Sequence, residues 1–162
     1  AHDTYRQIEK DLAEAVASPC KTIMIDTNTA RYDVYRHAYA EELGKQSVEP
    51  HMYSEIYTRM SRVIYSCILA GKNLILTHHL RDKYVDDKAS GELEVDTYRR
   101  CVSLADVSLI LRREVHKIHG ENKTVVITRI QDTRYDFPDL GASGTELEMA
   151  TYDDLITVLG LG

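Results

Sequence analysis

The sequence predicts an α/β domain, with a mainly parallel sheet flanked by helices and a β-hairpin toward its C-terminal end. Three observations predict it. Helical apolar stripes alternate with two short apolar runs, residues 22–26 (TIMID) and 73–78 (NLILTH). Runs that are apolar on both faces suit parallel strands covered by helices on either side. Two β-rich runs, DVSLILRREV and VVITRIQD, then flank a turn at Gly120, the pattern of a hairpin.

Residues 3–17 read as a helix. Tyr5, Ile8, Leu12 and Val16 fall at helical spacing, and Asp3 stands where a cap belongs. Ser18-Pro19 stops it, and the strand 22–26 follows. Asp26-Thr27-Asn28-Thr29 is a turn with capping chemistry. A second helix spans 29–43, with Ala30, Val34 and Ala38 on one stripe, Tyr35 and Tyr39 on its neighbour, and Gly44 as its C-terminal cap. KQSVEPHMY is a loop. The clearest helix covers 54–70: Ile56, Met60, Val63, Ile64, Cys67 and Ile68 repeat at helical spacing, between a Ser54 cap and Gly71.

After the strand 73–78 the style changes. Residues 80–95, LRDKYVDDKASGELEV, are charged and show no apolar period, so they read as a surface loop. Residues 96–104 read as a helical turn. Residues 106–115 and 124–131 form the hairpin, with Gly120-Glu121-Asn122 as its turn. Residues 136–145 read as loop and 151–158 as a short final helix. No internal repeat or low-complexity tract interrupts the chain.

Bulk properties narrow the classes. At 162 residues and 43% hydrophobic, the chain suits a single domain, 1–162, with a sizeable core. No run of about 18 apolar residues predicts a membrane span, and the polar N-terminus does not read as a signal peptide. Cys20, Cys67 and Cys101 are odd in number and far apart, as expected of free thiols in a reducing cytoplasm. The net charge of −6 opposes sequence-blind nucleic-acid binding by the whole surface. Eleven tyrosines against one Phe and no Trp supply either stacking platforms or, more commonly, packing residues with a wet hydroxyl.

Three constellations carry chemistry. An apolar strand ending in Asp26 is where an α/β sheet presents a Mg²⁺-organising acid; an ordinary strand end gives the same string. In NLILTHHLR the strand is expected beside the first, bringing Thr77, His78 and His79 to the same edge. Adjacent histidines on a strand point to opposite faces and do not chelate together. In ITRIQDTRY, Arg129 and Arg134 can reach a neighbouring subunit's phosphates or simply pair with Asp132 and Asp136. Arg112, Arg113 and Lys117 on the hairpin are candidate nucleic-acid contacts, with a solvated hairpin as the plainer explanation. No GxSxG elbow supports a Ser hydrolase.

Taken together in order, KTIMIDT, NLILTHHLRDKY, the charged loop with GELEVDTYRR, ADVSLILRRE and TVVITRIQDTRY resemble the second half of the phage RecA-like, AAA-type P-loop ATPases. These are phage nucleotide-binding proteins similar to the phage single-strand-annealing ATPases. The resemblance spans most of residues 5–140. It implies a RecA-like P-loop NTPase core, ATP and Mg²⁺ as cofactors, homo-oligomeric assembly, and work on single-stranded DNA in recombination or annealing. The compartment it implies is a bacterial host cytoplasm.

Carried over by position, Asp26 matches the Walker B acid that holds Mg²⁺ through water, with Thr27 beside it at the nucleotide. Thr77 and His78 match the polar sensor position, and Arg134 matches the arginine acting in trans, without its usual lysine. The phosphate-cradling GxxxxGK[ST] motif is absent from the sequence, so the Walker A end is expected before residue 1. The expected function is therefore the ATP-binding core of a phage-type recombination or annealing protein, inactive as this segment. The alternative is a non-catalytic binding or assembly module.

Overall fold

The computed structural model describes residues 1–98, 100–133 and 143–160. The chain divides into two compact units, Ala1–Cys101 and Val102–Gly162.

The N-terminal unit is built on three helices, α1 (His2–Ala17), α2 (Asn28–Glu42) and α3 (Tyr53–Leu69), with a 3₁₀ turn at Pro50–Met52 before α3. In α1 the predicted stripe of Tyr5, Ile8, Leu12 and Val16 is half-buried. Helix α3 buries Ile56, Met60, Val63, Ile64 and Cys67, all but one of its predicted stripe; Ile68 is exposed. These meet Tyr35 and Ala38 of α2, both fully enclosed. The starts of α1 and α3 differ from expectation: Ala1 and Met52 hold the cap positions rather than Asp3 and Ser54, and neither makes a side-chain cap bond.

The two glycine stops hold. Gly44 and Gly71 adopt φ of +65° and +64°. After each the next amide reaches back, Lys45 N–H to Ala40 O and Lys72 N–H to Cys67 O, both at 2.9 Å. This is the Schellman closure, in which a left-handed residue lets the chain satisfy the last helical carbonyls; glycine adopts it without the Cβ penalty.

Strands β1 (Thr22–Ile25) and β2 (Asn73–Leu76) pair in parallel, Thr22 opposite Asn73 through Ile25 opposite Leu76. The mainly parallel, RecA-like sheet expected from the sequence is not formed. β1–β2 is the single parallel pair among the described residues, and the other strands pair antiparallel in small sheets. The architecture is α+β. A parallel neighbour needs a crossover of a dozen or more residues, and after β2 the chain instead doubles back on itself.

That reversal falls in 80–95, expected to be loop. It forms a hairpin of β3 (Leu80–Val85) and β4 (Lys88–Val95). Asp86 and Asp87 take φ of +50° and +60°, the paired left-handed conformation of a two-residue hairpin turn. Cross-strand ion pairs replace an apolar period: Arg81 Nη2 lies 2.9 Å from Glu94 and Lys83 Nζ 2.6 Å from Glu92. Helix α4 (Arg100–Leu104) spans the boundary between the units.

The C-terminal unit is the expected hairpin, longer than predicted. β5 (Val107–Ile118) and β6 (Glu121–Thr133) reverse at His119-Gly120, both with positive φ. β7 (Glu146–Glu148) adds along Ile127–Arg129 of β6. Helix α5 (Tyr152–Val158) is held by a reciprocal capping box between Thr151 and Asp154. Ile130, fully buried, packs with Leu159, Val107, Leu109 and Val158.

Candidate functional site

The strand ends of the N-terminal unit bring together two of the predicted site residues. Ile25 and Leu76 are the last register pair, so Asp26 and Thr77 leave the carboxyl ends of β1 and β2 side by side. Thr77 N–H donates to Ile25 O at 3.1 Å and Asn28 N–H donates to Thr77 O at 2.8 Å, which carries the ladder past the strands. The Thr77 hydroxyl donates to Asp26 Oδ1. The Asp26–Thr27 peptide is cis. Asp26 is exposed, and its Oδ2 has no partner among the described residues.

Thr27 serves the helix: its Oγ1 accepts from Ala30 N–H at 3.1 Å as the N-cap of α2. Thr29 Oγ1 accepts from His79 N–H at 3.0 Å, fixing the chain beyond β2 against the first turn of α2. An open carboxylate oxygen beside a hydroxyl, at a strand-end edge, is an oxygen set that suits a hydrated Mg²⁺ held through one carboxylate.

His78 is not part of that pair. Its Nε2 lies 3.8 Å from Cys101 Sγ, and its Nδ1 is buried without a partner among the described residues. Burial, and then the Arg31 guanidinium, hold the imidazole below its ordinary pKa, so it is neutral at pH 7. His79 is exposed. Among the described residues no group of three or more His, Cys, Asp or Glu gathers as a metal-ligand set.

The sequence reading missed the residues beneath this edge. Asn28 and Arg31, three apart on α2, are 1% and 4% exposed. The signal was present: Asn28, Arg31, Tyr35 and Ala38 trace a helical stripe, and this stripe is the buried face of α2 rather than the Ala30–Val34 line.

The hairpin cations divide between two faces, because successive strand residues alternate. Arg112 shares its face with Glu114 and His116. It is engaged by Glu114 at 2.6 Å and by both carboxylate oxygens of Glu146, at 2.8 and 2.9 Å. Arg113 and Lys117 lie on the opposite face with the exposed Leu111 and Val115. Arg129 stands opposite Ile110 and Glu146. Arg134 lies outside the described residues, as does most of the predicted loop 136–145.

The tyrosines are largely structural. Tyr57 stacks on Tyr98 with ring centres 4.5 Å apart, and Tyr5 meets Tyr35 edge-on at 4.9 Å. Ser61 Oγ donates to the Tyr98 hydroxyl at 3.1 Å. Two open clefts, of about 770 and 580 Å³, share Tyr57 and Tyr98 in their walls.

Cys20, Cys67 and Cys101 are all unbridged, and no helix among the described residues is long and apolar enough to cross a membrane. Compared with protein-family models, curated proteins and solved structures, the chain matches none of them.

Proposed function

We propose that the N-terminal unit binds a Mg²⁺–nucleoside triphosphate, ATP by the resemblance of its motifs, at the carboxyl ends of β1 and β2. The observation that carries this reading is the Asp26–Thr77 contact, an open carboxylate and a hydroxyl at one strand-end edge. Asp26 would hold Mg²⁺ through its water shell, and the metal would supply charge compensation at the β and γ phosphates. Thr77 orients the carboxylate and leaves Oδ2 for the hydrated ion. Thr27 organises the first turn of α2, whose N-terminal end favours anions. Without a phosphate-cradling loop and its lysine in the sequence, the affinity is weak and hydrolysis by this chain alone is not expected.

Amide hydrogen exchange tests the location. Mg²⁺–ATP should slow exchange at 22–29 and 73–79, and ATP with EDTA should not. Protection elsewhere alone would refute the reading. Single-stranded DNA, proposed as a partner in recombination or annealing, has Arg113 and Lys117 available on one hairpin face.

A second reading, a non-catalytic assembly module, is favoured by one observation. Met24 and Ile75 are register partners on the same face of the parallel pair, and both are exposed, 58% and 49%. Parallel sheets are ordinarily covered on both faces. A concentration-dependent mass with no nucleotide binding would favour this reading, in which the chain forms homo-oligomers.

A further inference from the structure

The smaller of the two clefts, about 580 Å³, lies wholly within the N-terminal unit, and its volume suits a small organic ligand. None of its lining residues falls in 22–29 or 73–79, the segments on which the nucleotide reading rests. Four of the 11 tyrosines line it, so the aromatic surface that the sequence supplies is concentrated here. Tyr53, Tyr57 and Tyr98 stand in file. Their ring centres are 5.8 Å and then 4.5 Å apart, at interplanar angles of 38° and 19°. Tyr98 is the buried end of the file, whereas Tyr53 and Tyr57 are half-buried and keep ring surface in the cleft wall.

The charges on the rest of the wall are balanced. Arg36 Nη1 lies 3.2 Å from Asp33 Oδ1, and Arg81 Nη1 lies 3.2 Å from Asp96 Oδ1. The Arg36 guanidinium also lies over Tyr32, 5.6 Å from its ring centre. Each of these pairs uses one carboxylate oxygen. Asp33 Oδ2 and Asp96 Oδ2 have no partner among the described residues, and the two side chains are 52% and 46% exposed. Arg36 gives Asp33 a single donor.

Such a wall selects by shape and hydrogen bonding. Two guanidiniums and two carboxylates offset one another, so a charged ligand gains little net attraction. A flat, neutral ring gains stacking on tyrosine and on a guanidinium plane; a sugar has no aromatic face to offer. The ring's edges must then give donors to a carboxylate and acceptors to a guanidinium. Among the nucleobases guanine alone presents two adjacent donors, N1–H and N2–H, together with two adjacent acceptors, O6 and N7.

We propose that this cleft binds a guanine base, stacked on the Tyr53 and Tyr57 rings and held at its edges by the Asp33–Arg36 and Arg81–Asp96 pairs. The base belongs either to a free nucleoside or to an unpaired nucleotide in a strand, and the chemistry recognised is the same. The site does not depend on the Asp26 carboxylate.

The test uses the whole chain in EDTA and ligands without a triphosphate, so its failure leaves the Mg²⁺–ATP reading untouched. Calorimetric titration compares guanosine, adenosine and ribose. Guanosine should bind with a dissociation constant of about 0.1 mM, the order expected for a ligand of that size. Adenosine should bind at least tenfold more weakly, and ribose should give no signal. Asp33→Asn should weaken guanosine about tenfold by removing one of two charged acceptors, and Tyr53→Leu should weaken it about tenfold by removing a stacking ring. Asp33 is exposed on α2, so its variant carries the test should Tyr53→Leu fail to fold. Guanosine should also slow amide exchange at 32–36, 53–57 and 96–98 and leave 22–29 unchanged. A thymidine single strand carrying one guanine separates the two sources. Binding tighter than both guanosine and an all-thymidine strand assigns the base to a strand, and binding no tighter than guanosine assigns it to a free nucleoside. Equal affinity for guanosine and adenosine, undiminished affinity in the folded variants, or no binding at millimolar guanosine would overturn the proposal.

Discussion

The Thr77 hydroxyl donates to the Asp26 carboxylate across the ends of two parallel strands. The relationship follows from register. With Ile25 opposite Leu76, the next residues of each strand emerge together, one an acid and the other a hydroxyl. Two short runs about 50 residues apart in sequence thereby create one oxygen-lined edge, and helix α2 begins directly beyond it.

Replacing Thr77 with Val keeps the shape of the side chain and removes the donor. Asp26 then loses its orienting partner while the strand pairing is retained. Mg²⁺–ATP affinity should fall roughly five- to tenfold, about 1 kcal/mol, the net worth of one ordinary solvent-exposed hydrogen bond. The melting temperature should stay within a few degrees of wild type. Calorimetric titration and thermal unfolding measure the two effects.

Arg59 joins three helices. It holds both oxygens of Glu42, at 3.0 and 2.9 Å, and Glu55 at 2.9 Å. Its guanidinium also lies over Tyr5 and Tyr39, at 5.2 and 5.0 Å from the ring centres. Arg59→Ala should destabilise by about 2 kcal/mol, between the values for exposed and buried pairs. Arg59→Lys should recover less than half of this, because an ammonium cannot reproduce the planar fork. Urea unfolding measures both.

The same pair gives an acid limb. The Arg59 hydrogen bonds hold the Glu42 carboxyl below its usual range. Its contribution is therefore complete above the unfolded glutamate value, about 4.3, and is lost as pH falls through the lower folded value. The stability difference between wild type and Glu42→Gln should be constant near neutrality and shrink on acidification below about pH 4.

His78 gives a pH dependence at milder acidity. Burial and Arg31 lower its folded pKa, so below about pH 6.5 the unfolded chain binds the proton more readily. Stability should fall as pH drops below that value, until the folded pKa is passed. His78→Gln should flatten the melting curve between pH 7 and the folded value. An equal slope in both proteins would contradict this assignment.

In the C-terminal unit, Ile130→Ala should cost about 3 kcal/mol, since Ile130 is fully enclosed with Leu159, Val107 and Leu109. Leu111→Ala, at an exposed position, should change stability by under about 0.5 kcal/mol. Denaturant unfolding of the two variants makes the comparison.

The helices were legible because their apolar spacing and glycine stops are local signals. Ile56 through Cys67 and the caps at Gly44 and Gly71 required no tertiary knowledge. The two apolar runs were legible as strands for the same reason, and the helices that separate them in sequence pointed to a parallel pairing. The sheet as a whole was not. The β3–β4 hairpin carries its information in opposite charges, Arg81 with Glu94 and Lys83 with Glu92, which look like loop until the strands are paired. Its turn, Asp86-Asp87, lacks the glycine that usually marks one.

Part of the candidate site was equally readable. Asp26 and Thr77 were visible as polar ends of apolar runs. His78 was placed with them by adjacency, but its ring lies beside Cys101. Arg112 looked available to a ligand, yet Glu146, 34 residues away, engages it. Asn28 and Arg31 were overlooked because polar residues are normally assigned to the outer face of a helix, and here they line the inner one.

The most direct test of the central claim is calorimetric titration of Mg²⁺–ATP into the wild-type chain and into Asp26→Asn. The account predicts weak binding, with a dissociation constant of about 1 mM or below, that weakens at least tenfold in the variant and disappears in EDTA. Binding of equal strength in both proteins, or no binding by the wild type at millimolar nucleotide, would contradict it.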